Sequence, residues 1–359
     1  MIKNILICPL EWGLGHAARM IPVARRLREM NYNVFIGAGE EHLALFRAEL
    51  PGLNLISFPG FRPSYSRHLP QYLAMLMKTP LLLYHIIREH HRLKRIIRDY
   101  SIDLIISDNR FGLWNKDIKS VYVTHLPRIP LPAAFRLFEF TGVLLHRAVM
   151  KKYTLCLIPD LPGDLNVSGR LSHIIRLPAN TIYAGIISRF ILTQEDKTGK
   201  FSFPHNTVIL SGPEPQRSML KHKLVSLLKH RLPRTVILEG KPGKSETSSD
   251  GNIIFYSHLT ASEMAALIRT SDTVITRSGY TTIMDLICLG SSAVLIPTPG
   301  QTEQEYLAEY LDARGWFSSV SQNRISENMP VPPETSLPDE IVEKSRVLFE
   351  EALHKILED

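Results

Sequence analysis

Short runs of β-branched and apolar residues alternate along the chain with longer segments in which apolar residues recur every three or four positions. The short runs predict buried parallel strands, and the longer segments predict the helices that connect them. This alternation occurs twice, so we expect two similar α/β units. The predicted strands lie at residues 2–8, 33–37, 103–107, 120–124 and 154–158 in the first half, and at 207–210, 235–239, 252–256, 273–276 and 293–296 in the second.

Two stretches rich in proline and glycine interrupt the alternation. The first spans residues 159–206, and its prolines and glycines exclude a long regular element. We therefore expect the linker near residues 186–205. The second, residues 320–338, precedes a last helical pattern. The predicted organisation is a first domain at 1–188, a second domain at 189–338, and a C-terminal helix at 339–359 that packs back on the first domain.

A mostly apolar segment at residues 69–87 is followed by several basic residues up to Arg98. Pro70, Lys78 and Pro80 interrupt the apolar run, so we do not predict a transmembrane helix. Two interpretations remain open. The segment is either an amphipathic surface that touches anionic lipid or a buried crossover helix with a solvated basic end.

The composition places the chain among ordinary globular proteins. It has 359 residues, of which 44% are apolar and 21% charged, so two domains are expected and a disordered or fibrous chain is excluded. Residues 1–9 lack the features of a signal peptide. We therefore expect a cytoplasmic location, with peripheral attachment to the inner face of the membrane as an option.

The formal net charge of +7 permits an anionic partner. The sequence contains no zinc-finger spacing, RNA-binding aromatic motif or long Lys/Arg tract, so we do not expect nucleic acid to be that partner. His85, His90 and His91 have no carboxylate at a metal-ligand spacing. We expect neither a metal site nor a cofactor.

A glycine-rich loop follows the first predicted strand. Gly13 and Gly15 allow a ligand to approach the backbone, and the next helix offers its N-terminal N–H groups to an anion. His16 is placed to act as a general base, or alternatively to cap the helix. The pattern Gly13-x-Gly15-x-x-Ala18, with Glu40 further on, also matches the dinucleotide fingerprint. We disfavour that alternative because four residues separate the strand from Gly13, where the dinucleotide turn is tight.

Three further residues follow strands of the first half. Asp108 and Asn109 come after one predicted strand, and His125 comes after the next. The carboxyl ends of parallel strands share one edge of the sheet, so these residues are candidates for an acceptor site near His16. Each of them alone is equally consistent with an ordinary turn.

The strongest chemical pattern lies in the second half. A strand ends in a turn at Ser278 and Gly279, and we expect Thr281 and Thr282 to cap a helix whose N-terminus faces a diphosphate. Asp285, one turn later, is placed to accept hydrogen bonds from ribose hydroxyls.

A polar loop at residues 301–305 follows the next strand and supplies amide and carboxylate groups for sugar hydroxyls. Over residues 253–316 the sequence resembles the donor half of the GT-B glycosyltransferases, which carries the glycosyltransferase family 28 C-terminal domain. It is most similar to the family of the bacterial peptidoglycan N-acetylglucosaminyltransferase. The resemblance implies a GT-B fold, in which two Rossmann-like, doubly wound parallel-sheet domains face a central cleft.

The resemblance also implies roles for single residues. Arg277, Ser278 and Gly279 line the diphosphate, the backbone near Leu259 meets the base, and His16 lies beside the acceptor, with Gly13 and Gly15 in the same loop. The donor-side residues expected on these grounds are Ser211, Gly212, Arg217, Leu259, Arg277, Ser278, Gly279, Thr281, Thr282, Asp285, Gln301, Glu303, Gln304 and Glu305.

This chain departs from the family at two positions. Asp285 replaces a glutamate, which shortens the expected ribose contact by one methylene. The turn after the first strand of the second half is not glycine-rich, since Pro213 and Pro215 lack N–H donors and Glu214 repels phosphate. Ser211, Gly212 and Arg217 remain able to contribute there.

The predicted function is an inverting, metal-independent glycosyltransferase. It would move an N-acetylhexosamine or hexose from a nucleotide-diphospho sugar, UDP-linked, to a lipid-linked or polysaccharide acceptor. His16 would deprotonate the acceptor hydroxyl, and a helix N-terminus with Arg277 would stabilise the departing diphosphate. The alternatives are a non-hydrolysing UDP-sugar 2-epimerase of the same fold and a non-catalytic nucleotide-sugar-binding protein. The pattern leaves the base, the sugar, the acceptor and the oligomeric state open.

Overall fold

Two seven-stranded sheets form the two halves of the protein. In this computed structural model, every pairing in the first sheet is parallel, and in the second sheet only the pairing of its first edge strand is antiparallel. The expected α/β class is confirmed. The structure describes residues 2–62, 77–191, 200–212, 214–241, 246–326, 328–334 and 337–358.

The first sheet has the strand order β3-β2-β1-β4-β5-β6-β7. The order reverses between β1 and β4, which is where parallel sheets of this type open a crevice for ligands. Its strands are β1 (Asn4–Cys8), β2 (Asn33–Ala38), β3 (Asn54–Ser57), β4 (Leu104–Asp108), β5 (Lys119–Val123), β6 (Leu155–Ile158) and β7 (Thr181–Tyr183). The helices described in this half are α1 (Leu14–Glu29), α2 (Glu40–Glu49), α3 (Thr79–Asp99) and α4 (Glu139–Met150).

The second sheet has the order β10-β11-β9-β8-β12-β13-β14, and its order reverses between β8 and β12. Its strands are β8 (His205–Ile209), β9 (Arg234–Leu238), β10 (Thr247–Asp250), β11 (Ile253–Tyr256), β12 (Thr273–Thr276), β13 (Val294–Leu295) and β14 (Ser318–Ser319). The helices described here are α5 (Gln216–Leu228), α6 (Ala261–Arg269), α7 (Tyr280–Cys288), α8 (Thr302–Ala313) and α9 (Glu340–Leu357).

The ten predicted strands are present, and their observed ends differ from the predicted ones by at most two residues. Four strands were not predicted: β3, β7, β10 and β14. These are the outer strands of the two sheets. A central strand is buried on both faces and reads as a continuous apolar run, whereas an outer strand is short and mixes polar with apolar positions.

The segment after β6 is irregular, as predicted, but a buried carboxylate orders it. Asp160 accepts hydrogen bonds from the backbone N–H groups of Leu161 (2.8 Å), Val167 (2.7 Å) and Ser168 (2.9 Å). Leu161 and Val167 pack into the core of the second half. The chain therefore contributes to the core of the second half before it reaches the predicted linker. Residues 192–199 of that linker lie outside the described residues.

The exposed first half of α3 contradicts the interpretation of this segment as a buried crossover helix. Leu83, Tyr84 and Ile87 are largely exposed, whereas the later apolar residues Leu93 and Ile96 pack in the interior. Residues 69–76 of the predicted segment lie outside the described residues. In the part of the chain that the structure describes, we find no helix with the length and apolar content that a bilayer span requires.

The last helix, α9, contacts both halves. Phe349 and Leu353 pack into the core of the first sheet, and Ile341 packs into the core of the second. Arg26 on α1 donates to Glu350 with an Nε to Oε1 distance of 2.9 Å. The helix therefore connects the two cores.

This packing makes Phe349 a stability determinant. We expect Phe349→Ala to lower the free energy of unfolding by about 3–5 kcal/mol, because it leaves a cavity in the first core. Val347→Ala on the exposed side of the same helix should change it by less than about 0.5 kcal/mol. Urea unfolding followed by circular dichroism measures both, and equal effects of the two substitutions would show that α9 does not dock on the first half.

Candidate active site

A cavity of about 990 Å³ opens between the carboxyl ends of the two sheets. The loops after β1, β4 and β5 line it from the first half, and the loops after β8, β11 and β12 line it from the second. Most predicted site residues meet here. From the first half they are Gly13, Gly15, His16, Asn109 and His125; from the second half they are Ser211, Gly212, Arg217, Leu259, Gly279, Thr281, Thr282, Asp285, Gln301, Glu303 and Gln304.

Arg277 does not line this cavity, and the expectation that it lines a diphosphate is wrong for its side chain. Its guanidinium is fully buried and donates to the carbonyl oxygens of Ile296 and Pro297, at 3.1 Å each, and of Gln216 at 3.0 Å. A fourth bond reaches Gln322 Oε1 at 2.7 Å. Burial lowers the pKa of Arg277 to about 10. Arg277 therefore links the end of β12 to three other segments of the chain, at Gln216, at residues 296–297 and at Gln322.

Ser278 and Glu305 also point away from the cavity, contrary to expectation. Ser278 is fully buried, and its hydroxyl donates to the carbonyl oxygen of Gln304 at 2.8 Å. Glu305 accepts a hydrogen bond from the backbone N–H of Gly300 at 2.8 Å. Both side chains shape the loop before α8. Gln304 itself is buried and accepts from the N–H of Thr298 at 2.9 Å.

The N-terminus of α7 faces the cavity. Gly279 is its N-cap residue, and no side chain caps the helix, so the expectation that Thr281 and Thr282 cap it is wrong. Both threonines lie instead in the first turn. The N–H groups of Tyr280, Thr281 and Thr282 have no carbonyl partner within the helix, and all three residues line the cavity.

The N-terminus of α1 meets that of α7. Gly13 is the N-cap of α1, with a φ of 100°, and again no side chain caps the helix. A Cβ atom added to Gly15 would lie 3.1 Å from Thr281 Oγ1. Glycine at position 15 thus allows the two helix ends to approach each other. Both ends carry partial positive charge and open on one space.

Asp285 lines the cavity, and both of its carboxylate oxygens already accept hydrogen bonds from protein side chains. Its Oδ1 accepts from the Ser188 hydroxyl at 2.7 Å, and its Oδ2 accepts from Arg189 Nε at 3.3 Å. Burial raises the pKa of Asp285, partly offset by Arg189 and Ser188. Sequence reasoning missed Ser188 and Arg189 because they lie in a segment that was read only as a linker.

The turn after β8 contains a paired charge. Gly212 has a φ of 92°, and Pro213 lies outside the described residues. Glu214, expected to repel phosphate, accepts from Arg217 Nε at 3.0 Å. Arg217 also donates to the carbonyl oxygen of Gly240 at 3.3 Å. The ion pair offsets the charge of Glu214, and it occupies the Arg217 guanidinium that was expected to contact the donor.

A buried polar network lies beside the start of α7, where the His125 ring stacks on Tyr280. Asp108 does not line the cavity, contrary to expectation, because it is fully buried behind His16. Its Oδ2 lies 3.0 Å from His16 Nδ1 and 2.9 Å from Arg19 Nε. His125 Nε2 lies 2.8 Å from Glu303 Oε1 on α8. The network therefore spans both halves. Sequence reasoning missed Arg19, although it lies one helical turn after His16.

Asn109 lines the cavity from the first half. Its backbone has a φ of 54°, and its Oδ1 accepts from the Tyr122 hydroxyl at 3.1 Å. The same hydroxyl lies 3.0 Å from His146 Nε2. Burial lowers the pKa of His146 to about 4, so this ring is neutral at physiological pH. In the described part of the chain, no three His, Cys, Asp or Glu side chains are grouped to hold a metal ion.

Part of the second half is similar to a known family. Residues 239–330 match the model of the Glycosyltransferase family 28 C-terminal domain. The matched range includes residues 253–316, where the sequence analysis found the resemblance. One curated relative is 43% identical over 75 residues: the UDP-N-acetylglucosamine–N-acetylmuramyl-(pentapeptide) pyrophosphoryl-undecaprenol N-acetylglucosamine transferase of Desulforudis audaxviator. The match spans 20% of this chain and 19% of that relative.

Solved structures are similar to the whole chain. The glycosyltransferase SnogD from Streptomyces nogalater matches with a TM-score of 0.63 and 15% identity, over 99% of each chain. MurG from Acinetobacter baumannii matches with a TM-score of 0.53 and 13% identity, again over 99% of each chain. At these identities the likeness concerns the fold, and the chain has the GT-B fold.

The position of Arg277 leads to a stability prediction. We expect Arg277→Met to lower the free energy of unfolding by about 1–3 kcal/mol, because it leaves buried carbonyl oxygens without donors. Arg269→Met, at an exposed position on α6, is the matched control and should leave stability unchanged. Thermal and urea unfolding measure the difference, and an Arg277→Met protein as stable as the control would refute the structural role.

Proposed function

We propose that this chain is a glycosyltransferase that takes a sugar from a UDP-linked nucleotide-diphospho sugar and passes it to a hydroxyl group of a lipid-linked or polysaccharide acceptor. One observation carries the proposal. The uncapped N-terminus of α7 and His16 line one cavity. A displacement that expels an anionic leaving group needs an anion site on one side of the reacting carbon and a base on the other.

The donor would lie along the second half. The N–H groups at the start of α7 would bind the diphosphate, and the contact between Gly15 and Thr281 would bring the N-terminus of α1 to the same phosphates. Asp285, held by Ser188, would accept from the ribose hydroxyls. Gln304 and Glu303 would face the sugar. The family match over residues 239–330 supports this side of the assignment.

The reaction would begin with proton transfer to His16. Burial lowers the pKa of His16, with a further lowering by Arg19 and an opposing effect of Asp108, so the ring is neutral at neutral pH and can accept a proton. The acceptor oxygen would attack the anomeric carbon, and the diphosphate would leave from the opposite face with inversion. The two helix N-termini would stabilise its growing charge.

The first-half elements beside the cavity, where the acceptor would bind, expose apolar side chains to solvent. The surface formed by the 3-10 helix Ala133–Phe138 and α4 exposes large apolar side chains, and α3 exposes more beside basic residues. Ile86 and Leu131 line the cavity beside these elements. The cavity therefore lies beside elements that expose apolar side chains, which would suit a lipid-linked acceptor. We propose that this apolar surface rests on an anionic membrane. Its exposed members are Leu83, Tyr84, Ile87, Leu137, Phe138, Phe140 and Leu145.

The anion site gives a prediction with a matched pair of variants. We expect Thr281→Asp to weaken UDP binding at least about tenfold, because a carboxylate in the first turn of α7 repels the diphosphate. Thr281→Asn has the same shape without the charge, so it should bind UDP within about threefold of the wild type. The carboxylate also favours the helix N-terminus, so Thr281→Asp should not lower stability.

Isothermal titration calorimetry with UDP measures both variants, and release of UDP from a UDP-sugar reports turnover. Equal affinities of the two variants would place the diphosphate elsewhere. A wild type that binds no nucleoside diphosphate would refute the proposed function.

The apolar surface gives a second prediction. The wild type should float at low salt with vesicles of phosphatidylglycerol and phosphatidylcholine. Replacing Leu137, Phe140 and Leu145 together by Asp should reduce the floated fraction at least about tenfold, because each change removes apolar area that would enter the lipid and adds a negative charge.

The control adds the same three charges to the second half. Met219, Leu232 and Val331 are also exposed apolar residues, and replacing them by Asp should leave flotation largely intact. Wild-type protein that stays with the soluble fraction at low salt, or two triple variants that behave alike, would contradict membrane attachment through this surface.

A further inference from the structure

Arg19 is a fully buried arginine at the centre of the polar network. It lies on α1 three residues after His16, so both side chains are on one face of the helix. Its Nε donates to Asp108 Oδ2 at 2.9 Å, and its Nη2 makes a second, short contact with Asp108 Oδ1. A two-point contact of this kind between a guanidinium and a carboxylate is stronger than a hydrogen bond between neutral groups.

The direction of the hydrogen bonds fixes the proton of His125. A guanidinium only donates, and Arg19 Nη1 lies 3.0 Å from His125 Nδ1, so that nitrogen accepts. His125 then carries its proton on Nε2 and donates it to Glu303. The ring also stacks on Tyr280, with centroids 4.2 Å apart and planes within 2°. Arg19 is therefore held in place from both halves of the protein.

His16 has two competing neighbours at one nitrogen. Its Nδ1 lies 3.0 Å from Asp108 Oδ2 and 2.9 Å from Arg19 Nη2. If Nδ1 carries the proton, it donates to Asp108 and the Nε2 lone pair is free. If Nδ1 accepts from Arg19, the proton is on Nε2. The lone pair of the ring then faces Arg19, so Nε2 cannot accept a proton from an acceptor hydroxyl. The carboxylate attracts the proton to Nδ1 more strongly than a neutral acceptor would.

We propose that Arg19 is a positioning residue: by neutralising Asp108 it keeps His16 uncharged, with its proton on Nδ1 and the Nε2 lone pair free for the acceptor hydroxyl. Without Arg19, a buried carboxylate would face His16 alone and would hold it as an imidazolium. Such a ring has no lone pair to offer. This inference rests on the proposed function, because it assigns the state of the base in that reaction.

The surrounding charges agree with this assignment. Burial raises the pKa of Asp108, but the charge of Arg19, with smaller effects of His16, reverses this and holds the pKa at about 2. Burial lowers the pKa of His16; Asp108 raises it and Arg19 lowers it. The titratable and charged groups that face His16 are Asp108, Arg19, His42, His125 and Glu303. Among them, the fixed positive charge is that of Arg19.

The test is a pH titration of the His16 ring by ¹H–¹⁵N correlation spectroscopy, with the His16 signals identified from a His16→Gln variant. In the wild type, His16 should titrate below pH 6.5, and its neutral form should carry the proton on Nδ1. In Arg19→Gln, the protonation constant of His16 should rise at least about tenfold. Arg19→Lys keeps the charge and should restore a titration below pH 6.5.

Arg26→Gln on the same helix is the control, since Arg26 pairs with Glu350 outside the cavity, and it should leave the His16 titration unchanged. A folded Arg19→Gln protein with an unchanged His16 titration would overturn the proposal. If Arg19→Gln does not fold, the wild-type ring decides, because a neutral form with its proton on Nε2 also overturns it.

These readouts need no substrate, so they separate this inference from the proposed function. A raised protonation constant in Arg19→Gln, in a protein that binds no nucleoside diphosphate, would support the effect of Arg19 on His16 and refute the proposed function. An unchanged protonation constant of His16, in an Arg19→Gln protein that does transfer sugar, would refute the role of Arg19 and leave the proposed function intact.

Discussion

Two uncapped helix N-termini face each other across a glycine contact, and the rest of the site depends on this constraint. The starts of α1 and α7 both carry unpaired N–H groups, and Gly15 allows them to touch at Thr281. The partial positive charges of two helix ends in contact repel each other, and an anion bound beside both ends offsets this repulsion. The parallel sheets produce this geometry, because each helix follows the carboxyl end of a central strand. The chain thus builds an anion-receptive cavity from its backbone, and the buried Arg277 stabilises the loops around it.

The polar network relates the anion site to the base. His125 belongs to the first half, but its hydrogen-bond partner Glu303 and its stacking partner Tyr280 belong to the second. Tyr280 is also the first residue of α7. One of the side chains that hold Arg19, His125, is therefore in contact with the helix end that would bind the diphosphate. In this arrangement, a shift of the second half relative to the first would disturb the base and the anion site together.

The sequence predicts the central strands and the position of the site, because both follow from local patterns. Buried strands read as apolar runs, and the ligand loops follow them directly. The four outer strands lack such runs. Side-chain direction is also not local: Arg277 follows a strand next to the site residues, but its guanidinium turns into the protein. Arg19 looks like the neighbouring surface arginines of α1, and only its contact with Asp108, 89 positions away, distinguishes it.

The central claim is that the starts of α7 and α1 bind a diphosphate. The most direct measurement is a crystal structure of the protein with UDP. We expect the β-phosphate oxygens within hydrogen-bonding distance of the backbone N–H groups of Tyr280, Thr281 or Thr282, with the phosphates beside the two helix ends in the cavity that His16 lines. UDP bound outside this cavity, or phosphates held by side chains away from α7, would contradict the account.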